Sequence, residues 1–426
     1  MLRRVRPRSR ASFLAHSEAI TRSGGASLLP IFLIVVVDVL ALTIMLPLLP
    51  FYAEHYGASP AVVGLLVGTY AFCQLIAGPV LGQISDRVGR KPVLAVSQVG
   101  TLAGLLLLAW APNLAVVFVA RVLDGLTAGN LSTAQAYIAD TTEPKERARA
   151  FALIGIAFGI GFLVGPGASG YLTHQFGFRM PILGAAALSF TSILGTMLLL
   201  PGGKPAHVSA GAGDAPAAPG GRRLRVLDWG TYVGYFKRPR LGALLLEFFL
   251  FTLAFSMFTS GAALFAERRY SVGGAPFGPK EVGYIFMYSG FLGIIVQGSL
   301  RQGALVRVVR EGRLVVIGFV AAAAGYVVLG ASHGIASLAL AITVASFGTG
   351  VIRPVLTSLI TQQVGRSEQG VVLGLNQSLM SVSQILGPVV GGALIGQQWL
   401  TPWALLAGAV MLAGAVSSAR GLAARQ

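Results

Sequence analysis

Gly82-Gln83-Ile84-Ser85-Asp86-Arg87-Val88-Gly89-Arg90-Lys91 is a charged knot set between two long apolar runs, Gly64 to Leu81 before it and Val93 to Trp110 after it. Each run is long enough to cross a hydrocarbon core of ~30 Å at ~1.5 Å per residue. The knot therefore reads as the turn of a hairpin of two membrane helices. A turn asks only for Gly, Asn or Pro, and the excess of positive charge on one side of a membrane accounts for Arg87, Arg90 and Lys91. Neither accounts for Asp86, nor for Gly82 and Gly89 at fixed distances from it.

The string resembles the loop signature between helices 2 and 3 of the major facilitator superfamily, G-x-x-x-D-R-x-G-R-[KR], and every defined position is matched. The resemblance implies an all-α membrane protein of twelve transmembrane helices, arranged as two pseudo-symmetric six-helix bundles. It also implies that Gly82, Asp86, Arg87, Gly89 and Arg90 form a conformational latch between the halves. In such a latch the Asp is set against a helix end and the Arg residues against acids of neighbouring helices.

Composition excludes an ordinary soluble protein: 54% of the 426 residues are hydrophobic and only 11% charged. Turn residues and charges divide the apolar runs into twelve, roughly 28–53, 61–83, 92–111, 114–139, 149–172, 177–200, 240–266, 281–302, 313–332, 335–362, 370–396 and 401–419. Of the 32 Lys and Arg residues, 26 fall in the termini and alternate loops. Arg179, Arg268, Arg269 and Lys280 fall on the opposite side, and Arg121 and Arg353 inside spans. This asymmetry predicts a multi-pass protein of the inner (plasma) membrane with both termini cytoplasmic. The net charge of +17 is then topology rather than a nucleic-acid footprint, because the basic segments are short and lack interleaved aromatics. The lone Cys73 has no disulfide partner. Leu28 to Leu49 is too long for a signal core and lacks an A-x-A site, so it reads as a retained first span.

The expected organisation is a basic tail (1–27), an N-terminal six-helix bundle (28–200), a cytoplasmic linker with an amphipathic segment (201–239), and a C-terminal six-helix bundle with a short tail (240–426). Gly89-Arg90 corresponds to Gly312-Arg313 at an offset of 223, while Glu146 corresponds to Glu368, and Gly165-Pro166 to Gly387-Pro388, at 222. Anchors at nearly one offset indicate two parallel repeats, with substrate bound between them near the midplane. The second copy of the knot keeps its cations but has no acid at the place of Asp86.

Asp38 lies in the middle of the first span, where no loop explains it. An intramembrane ionisable residue has a partner or a role, so Asp38 is either an interhelical structural bond or a carboxyl that binds and releases a proton. A dry carboxyl holds its proton more tightly than one reached by water or a cation, and alternating access would switch the two environments. The cation expected beside it is Arg121 in the fourth span, although Asp124 shares that face at i+3 and would serve equally to neutralise it. Arg121-x-x-x-Gly125-x-x-x-Gly129 resembles the helix 4 signature of the superfamily, which implies a part for the Arg in proton coupling.

Gly161, Gly165, Pro166 and Gly170 in the fifth span resemble the helix 5 signature of the superfamily's proton antiporters, found in drug exporters. Tight packing about a proline kink uses the same residues without implying a direction. Ala136 to Asp140 and Glu146 to Arg149 resemble the tetracycline/proton antiporters and their relatives, which carry a further acid in helix 3. Here Pro92 to Trp110 offers Ser97 and Gln98 instead, which points away from tetracycline itself.

Glu247 and Arg353 lie at similar depths in the seventh and tenth spans, and are expected either to contact substrate or to pair with each other as gate or glue. The histidines lack metal-ligand neighbours, and no Walker loop is present, so no metal, cofactor or ATP is expected and the proton gradient is the energy source. The sparse acids do not form an enzyme's cluster. The expected function is a proton-coupled secondary transporter, not an enzyme, that exports small amphipathic or hydrophobic compounds. The alternative is a proton-linked symporter or facilitator of a small metabolite. Its partners are then a small-molecule substrate, protons and the lipid bilayer, with the chain acting as a monomer.

Overall fold

The computed structural model describes residues 28–142, 147–201, 229–301, 309–365 and 368–423. The helices are α1 (Leu29–His55), α2 (Pro60–Val88), α3 (Arg90–Ala109), α4 (Leu114–Leu126), α5 (Asn130–Thr141), α6 (Arg147–Phe176), α7 (Arg179–Leu199), α8 (Trp229–Phe236), α9 (Pro239–Arg269), α10 (Pro279–Arg301), α11 (Glu311–Ala331), α12 (Ile335–Gln362), α13 (Gln369–Gly396) and α14 (Leu400–Ala423). A short hairpin, β1 (Ser271–Val272) with β2 (Ala275–Pro276), turns through Gly273 and Gly274 between α9 and α10. Twelve stretches are long and apolar enough to span a membrane: α4 and α5 together, and every other helix except the short α8. They match the twelve runs expected from the sequence to within a few residues.

The knot differs from its reading as a loop. Gly82 to Val88 are the last turns of α2, and the chain reverses at the single residue Gly89, whose φ is +102°. Glycine alone adopts that conformation without strain. Its amide donates to the Ser85 carbonyl at 3.1 Å, and α3 begins at once with Arg90. Arg and Asp continue a helix as readily as they punctuate one, so charge by itself placed the turn too early.

The repeat is visible in packing. In the first bundle α1 packs on α6 and α7, α3 on α7, and α4 on α2 and α3; in the second α9 packs on α13 and α14, α11 on α14, and α12 on α10 and α11. Each pair of one bundle has its counterpart in the other. The bundles meet through α2 against α13 and α6 against α10. All four of these helices carry Pro-x-x-x-Gly at the crossing: Pro60 and Gly64, Pro388 and Gly392, Pro166 and Gly170, Pro279 and Gly283. A Cβ on Gly64 would fall on the Pro388 carbonyl, and one on Gly392 on the Pro60 carbonyl. Gly170 faces the Pro279 carbonyl and Gly283 the Pro166 carbonyl in the same manner. Absent side chains let the backbones touch, which is how helices associate without a hydrophobic drive.

The two ends of the molecule are unlike. At the end opposite the termini one apolar core runs across both bundles, from Leu48, Tyr52 and Leu108 to Phe265, Phe286 and Trp403. At the terminus-bearing end the core separates into two, one around Leu241, Phe248 and Leu356 and another around Ile31, Leu94 and Ile138. The protein is therefore closed at the far end and parted at the near one. The far closure also carries an ion pair between bundles, Arg268 of α9 with Glu54 of α1 at 2.5 Å, while Glu267 holds the same guanidinium at 2.9 Å. Removing Glu54 leaves Arg268 held by Glu267 of its own helix, so the charge stays compensated while the tie between bundles is lost. Glu54→Gln is thus expected to raise, several-fold, the rate at which a thiol reagent added at the far side labels a cysteine at Ala262, measured in a Cys73→Ser background. Unchanged labelling would mean that the pair does not hold the closure.

Candidate functional site

α1 is clasped by α6, and this sets the direction of Asp38. Gly161 and Gly165 let α6 come against Val39 and Thr43, and the Thr43 hydroxyl donates to the Gly161 carbonyl at 2.9 Å. With Val39 and Thr43 buried on that contact, Asp38 is left half-buried on a cavity of about 130 Å³ that it shares with Arg121, Asp124, Tyr70, Gln74, Asn130 and Phe158. That volume holds several waters, and a larger compound must extend from it into the gap between bundles. The Gln98 amide donates to Asp38 at 3.4 Å and to the Ser192 hydroxyl at 2.8 Å. The first is long for a hydrogen bond. No described cation lies within ion-pair distance of Asp38.

Arg121 does not pair with Asp38 in this conformation. Its guanidinium lies 2.8 Å from Asp124, one turn along the same helix, and 5.6 Å from the centre of the Tyr70 ring. Gly125 sits against the backbone of Tyr70 on α2, and Gly129 against Ser97 of α3, so the small-residue spacing serves two neighbours. The span expected at 114–139 is a single crossing, within which the helix is interrupted at Thr127–Gly129. The Thr127 hydroxyl turns back onto the Leu123 and Asp124 carbonyls at 2.9 and 3.2 Å. Irregular backbone at this depth is tolerated where it lines a cavity, and Thr-Ala-Gly-Asn is the signal in the sequence that would have located it. The buried Asn130 amide oxygen at the start of α5 has no hydrogen-bond partner among the described residues.

Glu247 and Arg353 are not brought together. Glu247 is 3% exposed on α9, where the Ser417 hydroxyl of α14 donates to it at 3.2 Å. Arg353 is exposed on α12, and among the described residues its guanidinium donates a hydrogen bond only to the Met380 sulfur of α13, at 3.7 Å. The two lie at similar depths along their helices, but Glu247 is buried where Ser417 of α14 reaches it and Arg353 extends from α12 toward α13. An unpaired cation within a span costs ~2.5–3.5 kcal/mol on insertion scales, so it lies where water or a ligand can reach it.

The latch residues keep their contacts inside the first bundle. Arg90 binds Asp86 at 2.6 Å and Asp140 of α5 at 2.8 Å, and donates to the Ser85 hydroxyl at 3.1 Å. Lys91 caps the end of α7 through the Met197 and Leu200 carbonyls at 2.8 and 2.6 Å. Arg87 is exposed, and a Cβ at Gly82 would meet nothing. The helix 5 motif divides its work: Gly161 and Gly165 face α1, whereas Pro166 and Gly170 face α10 across the bundle boundary. α13 repeats the boundary contact with Pro388 and Gly392, so packing alone accounts for that half of the motif.

Of the expected amphipathic segment, 222–228 lies outside the described residues. The adjoining helix α8 is tied to the second bundle: Tyr235 donates to Glu368 at 3.3 Å, and Arg238 clasps Glu368 with bonds of 2.8 and 3.1 Å. The Arg238 guanidinium holds the Glu368 carboxyl below its ordinary range.

The chain matches the Major Facilitator Superfamily over residues 31–316 and 303–422. It is 30% identical to the class C tetracycline resistance protein of Escherichia coli over 369 residues, covering 84% of this chain and 87% of that one. It is 26% identical to multidrug resistance protein 2 of Bacillus subtilis (strain 168), covering 88% and 90%. Among solved structures, the human organic anion transporter MFSD10 superposes with a TM-score of 0.68 at 21% identity, over 92% of this chain and 98% of that one. The nucleoside transporter NupG superposes with a TM-score of 0.71 at 14% identity, over 93% and 98%.

Proposed function

The chain belongs to the major facilitator superfamily and is a transporter of small molecules rather than an enzyme, and from that premise we propose that it is a proton-driven antiporter that exports amphipathic compounds. The observation that carries this reading is Asp38: a carboxyl in the middle of a span, on a cavity, hydrogen-bonded only to the uncharged Ser192 and Gln98 side chains among the described residues and with no described cation within ion-pair distance. A proton arriving from the far side in the opposite conformation neutralises Asp38. The bundles then rock about the α2–α13 and α6–α10 crossings, and in the conformation described here the proton leaves toward the parted end. Arg121, already neutralised by Asp124, is free to exchange partners as the cavity reshapes. The knot, whose Asp86 and Arg90 pair within their own bundle among the described residues, would lock the near end when that end closes.

Both termini and the parted end are then cytoplasmic, in the inner membrane, and the working unit is a single chain. The relatives' names, tetracycline and multidrug resistance, support drug-like cargo. Gln98 occupies the place beside Asp38 on α3, and with no acid on that helix tetracycline itself is disfavoured. Everted vesicles with an acid interior test the reading. Adding an amphipathic dye is expected to release protons to the bath, seen as recovery of a quenched pH probe, in step with dye accumulation. Proton movement in the same direction as the dye would make the protein a symporter, and dye movement without protons a facilitator.

A further inference from the structure

The cavity shared by Asp38, Arg121 and Asp124 belongs to the first bundle, whereas Arg353 sits in the second and is absent from every described ion pair. Its surroundings say which way it faces. α12 packs on α11 and α10, while α13, whose Met380 meets the guanidinium, is the helix that crosses to the other bundle. A side chain running from α12 to α13 therefore lies on the gap side, not on the flank made by α11 and α14. There it presents five N–H donors, and the sulfur it touches is a weak acceptor. One turn from Met380 on α13, Asn376 is 5% exposed, and neither its amide nitrogen nor its amide oxygen has a hydrogen-bond partner among the described residues. Buried polar groups left in this way call for an occupant.

No carboxylate among the described residues fills the place. Glu247 is engaged with Ser417 on the other face of α9, and Asp124 with Arg121 in the opposite bundle. Counting from the helix ends on the parted side, Arg353 and Asn376 lie at depths of ~13 Å and ~10 Å, within reach of a compound entering from there. We propose that Arg353 and Asn376 are the subsite for an ionised acidic group, a carboxylate or phenolate, on the transported amphipathic compound. The planar guanidinium matches such a group with two parallel hydrogen bonds. The Asn376 amide supplies a further donor, and the flexible Met380 side chain adapts to the apolar body that carries the acid. Exchange of an outgoing anion for an incoming proton moves both charges with an inside-negative potential. This inference rests on the transport reading above, and its test is made without a gradient so that the two can fail separately.

The probes are fluorescein, an anion at neutral pH, and rhodamine 6G, a cation of similar size, titrated by fluorescence anisotropy against the purified full chain in lipid nanodiscs. Loss of a charge-assisted bidentate contact predicts that Arg353→Gln binds fluorescein about tenfold or more weakly, with rhodamine 6G within about threefold of wild type. Arg353→Lys should keep part of the fluorescein affinity. Asn376→Asp places a carboxylate one turn from the guanidinium's contact and should weaken fluorescein while sparing or strengthening rhodamine 6G. Rhodamine binding by each variant reports that it is folded. The proposal is overturned if wild type does not bind fluorescein, if Arg353→Gln binds it as wild type does, or if all the variants lose both dyes together. Loss of proton coupling in vesicles with these binding results intact would overturn only the antiport reading.

Discussion

Asp38→Asn is expected to abolish gradient-driven efflux, bringing dye accumulation in everted vesicles to the level of vesicles without the protein, while leaving the chain folded and inserted. Asn preserves the shape of the side chain and an oxygen for the Gln98 amide to donate to, so the contact at 3.4 Å survives. What it removes is the capacity to gain and lose a proton. The discriminating measurement is exchange of labelled for unlabelled substrate with no gradient present. That exchange needs the bundles to move and the substrate to bind, but needs no net proton transfer, and should persist in the variant. Undiminished uphill transport by Asp38→Asn would eliminate Asp38 as the coupling carboxyl. Loss of exchange together with efflux would return it to a structural role with Gln98 and Ser192.

The second large effect is mechanical. Gly392→Val places a branched side chain where α13 meets the Pro60 carbonyl and the Gly64 backbone of α2. Backbone cannot rotate aside as a flexible side chain does, so overpacking costs at least ~1–3 kcal/mol and either parts the bundles or distorts the crossing. The expected result is a lower Tm in detergent, reduced yield of monodisperse protein and loss of most transport. Gly293→Val on α10 is the control, since a Cβ there meets nothing within 4 Å. If the two variants have equal stability and activity, the close crossing of α2 and α13 is not limiting.

The spans were legible because an apolar run long enough to cross a bilayer has few other uses, and the repeat because its Gly-Pro and Gly-Arg anchors keep spacings that differ by one residue. Less legible was anything that depends on rotation about a helix axis. Glu247 and Arg353 were placed at matching depths, and rightly, but a difference in facing sends one to Ser417 and the other to Met380. Arg121 had two acids within plausible reach, and the one on its own helix holds it here. Asn376 drew no attention because an uncharged amide in a span carries no sign of its own. Its significance comes from neighbours that fail to satisfy it, which is a three-dimensional fact. The Pro-x-x-x-Gly pairs of α2 and α10 were equally silent until their partners on α13 and α6 were in view.

The contrast between the two ends bears on how the resting population of the protein is set. The far mouth is sealed by an oily seam shared between bundles, which weakens on cooling, with the Arg268–Glu54 pair added to it. Any seal at the near mouth must draw instead on the acids and guanidinium groups around Gly89, whose attraction is damped by electrolyte. The outward and inward forms are thus held by unlike mixtures of force, so that chill acts first on the far door of the vestibule and brine more strongly on the near one.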